Sequence, residues 1–220
     1  MPANPPPDYE KYEREQWKAN AAEVPHEVKS RSDRLKERIR SFIARFGFAE
    51  ADVEQKVRED EMFAAHFAKE PRRTGLHEVL AATWIKALPM VEDFHSLPKS
   101  GTNAIYVTGD GNIMTLRTGA QRPGKSLDFR WRTKGIVCYA MHKYTKEGGG
   151  NQDSQHKEMV AVLKNFMSCN EPGCALFIIV DGPYYQGKKL EELRTHTRDH
   201  LPRSYVLSIG DLPAILEAFK

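Results

Sequence analysis

The chain has 220 residues, of which 40% are hydrophobic and 29% are charged, and its formal net charge is +3. This length and composition are typical of a folded protein that buries a large core. The sequence has no apolar run near the roughly 20 residues that span a bilayer, and its start lacks the apolar segment of a secretory signal. We therefore expect a cytoplasmic protein with no membrane partner.

The three cysteines, Cys138, Cys169 and Cys174, are odd in number and show no C-x-x-C spacing. An odd count argues against a paired disulfide framework, and the missing C-x-x-C spacing argues against a structural zinc site, so the sequence indicates neither. We expect all three thiols to be reduced and to serve in packing.

Positive charge is concentrated in two windows. Residues 117–146 contain eight Lys or Arg and one acid, Asp128, and residues 29–45 contain seven Lys or Arg and two acids. Concentrated positive charge favours a polyphosphate ligand, since each neutralised phosphate adds affinity. For residues 29–45, a solvated helix face without a partner explains the charge equally well.

The first half of the chain has helical periodicity. Residues 1–25 are Pro-rich and then charged, which predicts a loose arm. Apolar residues at helical spacing predict a first helix that ends at Gly47, a second helical segment towards Pro71, and a third helix from Thr74 that stops at Pro89. These helices form the predicted helical part, residues 26–90.

The second half has short β-like runs. Residues 104–108 and 113–117 flank an Asp-Gly turn and predict a hairpin. The remaining pattern predicts strands over 126–131, 135–144, 174–181 and 204–209, and helices over 152–167, 187–200 and 211–219. This order predicts an α/β part over 100–220 with a mixed central sheet covered by helices. We expect it to form one domain with the helical part, over residues 26–220.

Asp128 and Lys143 lie on two successive predicted strands. Metal-dependent phosphodiester hydrolysis requires carboxylate ligands for a hard divalent ion and a cation beside the phosphoryl group. Side chains alternate along a strand, so Met141 shares the face of Lys143. A thioether is a poor ligand for Mg²⁺, so the second acid must come from elsewhere.

Glu78 is the preferred second acid. Its neighbours at helical spacing are Ala81, Ala82 and Ile85, so its carboxylate is expected to face protein, where a charge requires a metal ion or a cation. A glutamate in the first turn, favoured by the helix dipole, is the alternative interpretation. Asp153 is another candidate acid, although an aspartate early in a helix has the same ordinary explanation.

A glycine-rich turn, residues 148–150, precedes a polar helix start. Glycines allow close approach of the backbone to a ligand, and a helix N-terminus suits phosphate, but the turn is equally interpretable as a flexible connection. The polar residues at this helix start, Asn151, Gln152 and Gln155, are candidates for DNA contact or for ordinary satisfied polar groups.

The motif pieces LDF, HKY and TKEGGGNQDSQ, preceded by TGLHEVLAATWIKAL and LPKSGTNAIYVTGDG, resemble type II restriction endonucleases of the PD-(D/E)XK nuclease superfamily. The resemblance covers roughly residues 72–181. It implies a restriction-endonuclease-like α/β/α sandwich with an N-terminal helical region, and Mg²⁺-dependent cleavage of double-stranded DNA at a short site by a homodimer. It also implies a cognate DNA methyltransferase as a genetic rather than a physical partner.

Within this resemblance, Asp128 matches the motif aspartate, Lys143 the motif lysine, and the backbone carbonyl of His142 a main-chain metal ligand. Met141 departs from the expected Asp or Glu. The departure implies that the acid has moved to Glu78 or that the site is impaired. A repair or junction nuclease, and a DNA-binding protein without catalysis, are therefore the alternative functions.

Side chains able to reach bases or phosphates concentrate in the basic window. Residues 117–125 form the preferred DNA-contacting loop, because they are basic and lead directly into the Asp128 strand. The predicted DNA-binding residues are Arg117, Gln121, Arg122, Lys125, Arg130, Arg132, Lys146, Asn151, Gln152 and Gln155.

Overall fold

The computed structural model describes residues 5–30, 32–69, 73–116, 119, 121–200 and 202–219. The chain divides into two compact units, Asp8–Leu76 and His77–Lys220 with Met1–Pro7. We call them the helical unit and the sheet unit. The sequence predicts one domain over 26–220, with a helical part that extends to residue 90, whereas the division between the two units falls at residue 76. Among the described residues, no helix is both long and apolar enough to cross a membrane.

In the part of the helical unit that the structure describes, four helices lie wholly within it: α1 (Tyr9–Lys29), α2 (Asp33–Phe46), α3 (Glu50–Glu59) and α4 (Glu61–His66). Helix α2 ends at Gly47, which adopts a left-handed conformation with φ 75°, as the sequence predicts. The predicted second helical segment is divided into α3 and α4 because the Asp60 side chain caps α4, accepting hydrogen bonds from the backbone N–H groups of Met62 and Phe63, each at 3.0 Å.

Helix α1 replaces the loose arm that the sequence predicts over residues 1–25, as far as that segment is described. The proline-rich stretch ends before Asp8, whose side chain accepts a 2.9 Å hydrogen bond from the backbone N–H of Lys11 and caps the helix. Tyr9, Val24 and Val28 are buried along α1. The buried side chains recur at helical spacing among charged residues, which stabilises the helix through packing.

The sheet unit contains α5 from His77 onward and the elements that follow it. The bounds are α5 (Arg73–Lys86), β1 (Glu92–Ser96), β2 (Ile105–Val107), β3 (Ile113–Thr115), β4 (Phe129–Thr133), β5 (Ile136–Tyr144), α6 (Gly150–Phe166), β6 (Cys174–Asp181), α7 (Lys188–Arg194), β7 (Arg203–Leu207) and α8 (Leu212–Glu217). Strands of the main sheet follow the order β1-β4-β5-β6-β7. The pairs β1/β4 and β4/β5 are antiparallel, whereas β5/β6 and β6/β7 are parallel. The predicted mixed α/β sheet is therefore confirmed.

Helices cover both faces of this sheet. On one face, α5 and α8 pack over a cluster that includes Phe129, Trp131 and Phe177. On the other face, α6 packs over a cluster that includes Met141 and Ile178. Strand β6 is buried along nearly its whole length, which explains its continuous apolar sequence.

Two details of the sheet differ from the sequence analysis. The edge strand β1 was not predicted, because its sequence EDFHS is mainly charged and exposed and carries no alternating apolar pattern. The predicted hairpin does form, as β2 and β3, but it is a separate two-stranded sheet. Helix α7 also ends at Arg194, before the predicted residue 200.

We predict that Gly111→Ala destabilises the protein by at least about 2 kcal/mol more than Gly101→Ala. Both glycines have positive φ, 84° and 89°. A Cβ at Gly111 would lie 2.4 Å from the backbone of Ser168 and Cys169, whereas nothing lies within 4 Å at Gly101. Urea unfolding measures both variants. Equal losses of stability would contradict the packing of the hairpin turn against the end of α6.

Candidate active site at the start of β4 and the end of β5

A buried carboxylate lies at the start of β4. Asp128 precedes the strand, and only 7% of the residue is exposed. Its Oδ2 accepts a 2.9 Å hydrogen bond from the backbone N–H of His142. Burial raises the pKa of Asp128 from 3.8 to about 6; the His142 N–H opposes this rise and the nearby charge of Glu78 adds to it.

The peptide backbone of His142 faces this carboxylate. Ala140 lies two residues earlier on β5, so its backbone points to the same side as that of His142. Its carbonyl accepts a 2.7 Å hydrogen bond from the backbone N–H of Asp128. Because the N–H and C=O of one strand residue point to the same side, the His142 carbonyl points towards the β4 side, like its N–H. The imidazole is buried, with its Nε2 3.7 Å from Asp181 Oδ2. The backbone N–H of His142 thus faces Asp128, and strand geometry directs its carbonyl to the same side of β5.

Lys143 follows, with its side chain half-buried. Burial lowers the pKa of its ammonium group, and the nearby charge of Lys125 lowers it further, while Glu78 and Asp128 oppose the shift. The nearby charge of Glu78 contributes to the pKa shifts of both Asp128 and Lys143, and the charge of Asp128 contributes to that of Lys143, so we group the three residues as one charged cluster.

Met141 is a core residue. It is 4% exposed and packs in the cluster that contains α6. The position where the motif has its second acid is therefore filled by apolar packing. An acid substituted there would have to be buried in this cluster.

Glu78 lies on α5, where Ala81 and Ile85 are fully buried and Ala82 is partly buried, as its predicted strip requires. Its side chain is 20% exposed, and Oε1 accepts a 2.7 Å hydrogen bond from Lys99 Nζ. Helix α5 begins at Arg73, so Glu78 lies beyond the first turn and the helix dipole gives it little stabilisation. Lys99 therefore supplies the cation that a partly buried carboxylate at Glu78 requires.

Lys99 was not identified from the sequence. It lies in the connection between β1 and β2, within the quoted piece LPKSGTNAIYVTGDG, but no periodicity or charge pattern singles it out there. Lys125, by contrast, was selected as a DNA-contacting residue, and it contributes to the pKa shifts of both Asp128 and Lys143.

The oxygen donors of this cluster are chemically suited to Mg²⁺. Mg²⁺ typically binds one or two protein carboxylates and keeps several water ligands. Asp128, Glu78 and the His142 carbonyl provide such a set. Groups of three or more His, Cys, Asp or Glu side chains able to hold a metal are absent from the described residues, so a metal bound here needs the carbonyl or water as further ligands.

Asp153 has other partners. Its Oδ1 accepts hydrogen bonds from the Tyr184 hydroxyl at 2.6 Å and from Lys189 Nζ at 3.0 Å. These two hydrogen bonds lower the pKa of Asp153. Contacts with α7 and the turn before it therefore account for the position and charge of Asp153, and we prefer Glu78 as the second acid.

The predicted DNA-binding residues have different surroundings. Arg130 donates a 3.0 Å hydrogen bond to Asp93, and Arg132 lies 3.9 Å from the same carboxylate, so both have a structural partner on β1. Arg117 lies outside the described residues. Exposed members of the set are Gln121, Arg122, Lys125, Arg132 and Asn151, and half-buried members are Arg130, Lys146, Gln152 and Gln155.

Comparison of the chain with protein-family models, with curated proteins and with solved structures finds no match in any of the three. Support for a function therefore comes from the sheet topology and from the charged cluster around Asp128. The class that these features define is an α/β protein with a mixed sheet and a buried carboxylate at a strand end.

We predict that Asp128→Asn is more stable than the wild type in EDTA at pH 8, by up to about 3 kcal/mol, since one pKa unit is worth about 1.36 kcal/mol. The folded protein holds the Asp128 proton more tightly than the unfolded chain. The wild type therefore loses stability relative to the variant as the pH rises from 3.8 through about 6. Urea unfolding across this range measures the difference.

Asp153→Asn is the matched control. Because the pKa of Asp153 is lowered, its carboxylate stabilises the fold at neutral pH, and this contribution is lost as the pH falls through that lowered pKa. The control should therefore be less stable than the wild type at pH 8. If Asp128→Asn were also less stable than the wild type at pH 8, the conclusion that burial makes the charged form of Asp128 unfavourable would be contradicted.

Proposed function

We propose that the chain is a Mg²⁺-dependent, site-specific endonuclease of double-stranded DNA, a type II restriction endonuclease with a restriction-endonuclease-like fold. The observation that carries the proposal is the hydrogen bond from the His142 backbone to the buried carboxylate of Asp128, with Lys143 next in the chain. The order of α5, three antiparallel strands, α6 and the parallel strand β6 supports it, because the PD-(D/E)XK resemblance implies a mixed sheet between helices.

Asp128, Glu78 and the carbonyl of His142 would hold the Mg²⁺ ion. The bound ion supplies Lewis-acid stabilisation of phosphoryl charge and lowers the pKa of a coordinated water. The raised pKa of Asp128 favours this assignment, since a buried carboxylate gains most from a cation placed beside it.

The chain's own cations act on the phosphate. Lys143 carries a half-buried ammonium group, whose pKa burial lowers and the charges of Glu78 and Asp128 raise, and it would contact a nonbridging phosphate oxygen or the attacking water. Lys125 adds exposed positive charge next to it. Arg122, Gln121 and the other candidates of the basic window would contact the backbone and base edges of the duplex.

The proposal includes the organisation typical of this enzyme class. Cleavage of both strands at a symmetric site requires two active sites, so we propose a homodimer that binds double-stranded DNA. The cognate DNA methyltransferase would be a genetic partner, and the enzyme would act in the cytoplasm.

A DNA-binding protein without catalysis is the second candidate. The burial of Met141 favours it, because the usual second acid is missing, and so does the pairing of Glu78 with Lys99. The basic window and the fold are equally suited to this function. The two candidates differ in whether phosphodiester bonds are broken.

We predict that the wild type cuts plasmid DNA into discrete fragments in Mg²⁺, and that Asp128→Ala and Lys143→Ala lower the cleavage rate at least about 100-fold while still binding the duplex. Gel analysis measures cleavage, and fluorescence anisotropy with Ca²⁺ measures binding. Asp153→Ala is the control and should cut at the wild-type rate, because its partners are Tyr184 and Lys189.

Other outcomes identify the alternatives. Nicking that depends on branched or damaged DNA would indicate a repair or junction nuclease. Duplex binding by the wild type without cleavage would indicate the second candidate. Unchanged cleavage by Lys143→Ala would contradict the proposed site.

We predict that Glu78→Gln weakens Mg²⁺ binding and lowers the cleavage rate at least about tenfold. Gln keeps the volume of the side chain but removes the charged ligand. In a thermal melt, added Mg²⁺ should raise the Tm of the wild type more than that of Glu78→Gln. Lys99→Ala, which removes only the partner of Glu78, should retain the Mg²⁺ shift. Normal cleavage and an unchanged shift in Glu78→Gln would exclude Glu78 as the second acid.

A further inference from the structure

The helical unit contains a cleft with arginine and aromatic side chains, which the proposed active site does not use. The cleft has a volume of about 490 Å³, within the range of ligand pockets. We call it the α2 cleft. Its lining residues are Arg34, Glu37, Arg38, Ser41, Phe42, Arg45, Phe46, His66 and Phe67.

The arginines of the cleft follow one face of α2. Arg34, Arg38 and Arg45 are separated by four and seven residues, which places them on the same side of a helix. At 1.5 Å per residue, the Cα atoms of Arg34 and Arg45 lie about 16 Å apart. Arginines spaced in this way along a helix suit an elongated anion with several charges, rather than a single phosphate group.

The cleft has an excess of positive charge. Arg38 forms an ion pair with Glu27 at 2.5 Å, but Arg34 and Arg45 form no ion pair with any residue that the structure describes. Both are exposed, and Glu37 is the one acid that lines the cleft. Guanidinium groups bind phosphate through paired hydrogen bonds, so these two arginines favour a phosphate-bearing ligand.

Aromatic rings occupy the rest of the cleft. Phe67 is buried, and Phe42 packs against it with ring centroids 5.1 Å apart. Phe46 lies 4.7 Å from Phe42 and remains 52% exposed. The guanidinium of Arg45 lies 5.4 Å from the centre of the Phe46 ring. An exposed ring beside unpaired arginines provides a stacking surface for a base next to binding sites for phosphates.

We propose that the α2 cleft binds single-stranded nucleic acid, with a base stacked on Phe46 and phosphates of different nucleotides of the strand on Arg34 and Arg45. A duplex hides the faces of its bases in the helical stack, so it cannot use the ring. A mononucleotide has one phosphate group and cannot reach both arginines. The site does not depend on the proposed nuclease activity, because none of its residues belongs to the charged cluster around Asp128.

The experiment measures binding of a fluorescent oligothymidylate to the full chain by anisotropy, in EDTA and on an Asp128→Ala background. Arg34→Gln/Arg45→Gln should weaken binding at least about tenfold. It should also reduce the slope of log K against log salt by about 1.4, since each phosphate contact on a single strand contributes about 0.7. Arg40→Gln is the matched control: Arg40 is exposed on the same helix but does not line the cleft, so affinity and slope should be unchanged.

Phe46→Ala separates stacking from charge. It should weaken binding about tenfold without changing the salt slope, because it removes a ring and no charge. The proposal is overturned if the double variant binds like Arg40→Gln, or if a duplex or a thymidine mononucleotide competes as well as the single strand. Plasmid cleavage by the wild type is assayed separately, so failure of the nuclease proposal leaves this result interpretable.

Discussion

The burial of the Asp128 carboxylate is the constraint on which the site depends. A charge removed from water is costly unless it is hydrogen-bonded or paired. Here the His142 N–H supplies the hydrogen bond, yet the pKa still rises to about 6. The nearby charge of Glu78 raises the pKa of Asp128 further, whereas a divalent cation beside the carboxylate would lower it. The Mg²⁺ ion that we propose here would therefore offset a cost of burial that the His142 hydrogen bond does not remove.

Strand β5 connects this site to both cores of the sheet unit. Met141 packs towards α6, and the His142 imidazole lies on the opposite face, within 6.2 Å of the Phe129 ring. These two buried side chains fix the peptide of His142 between them. The backbone that faces Asp128 is consequently held by packing on both sides of the sheet. The same packing fills residue 141 with a buried apolar side chain, and we therefore propose Glu78 on α5 as the second carboxylate.

Strand periodicity was sufficient to predict the two neighbouring strands at which Asp128 and Lys143 lie, although β4 begins at Phe129, one residue after Asp128. Helical spacing likewise predicted the buried strip beside Glu78. Lys99 could not be predicted, since its contact with Glu78 joins a loop to a helix 21 residues earlier. Helix α1 was missed because its apolar residues are sparse and the prolines before it suggested a loop, although Tyr9, Val24 and Val28 keep helical spacing.

The central claim is that Asp128, Glu78 and the carbonyl of His142 bind one divalent cation. Anomalous diffraction from crystals soaked in Mn²⁺, which replaces Mg²⁺ at oxygen sites, tests it directly. The account predicts an anomalous peak within about 2.0–2.4 Å of oxygens from both carboxylates. A fully soaked crystal with no peak at Asp128, or with Mn²⁺ bound only by other residues, would contradict it.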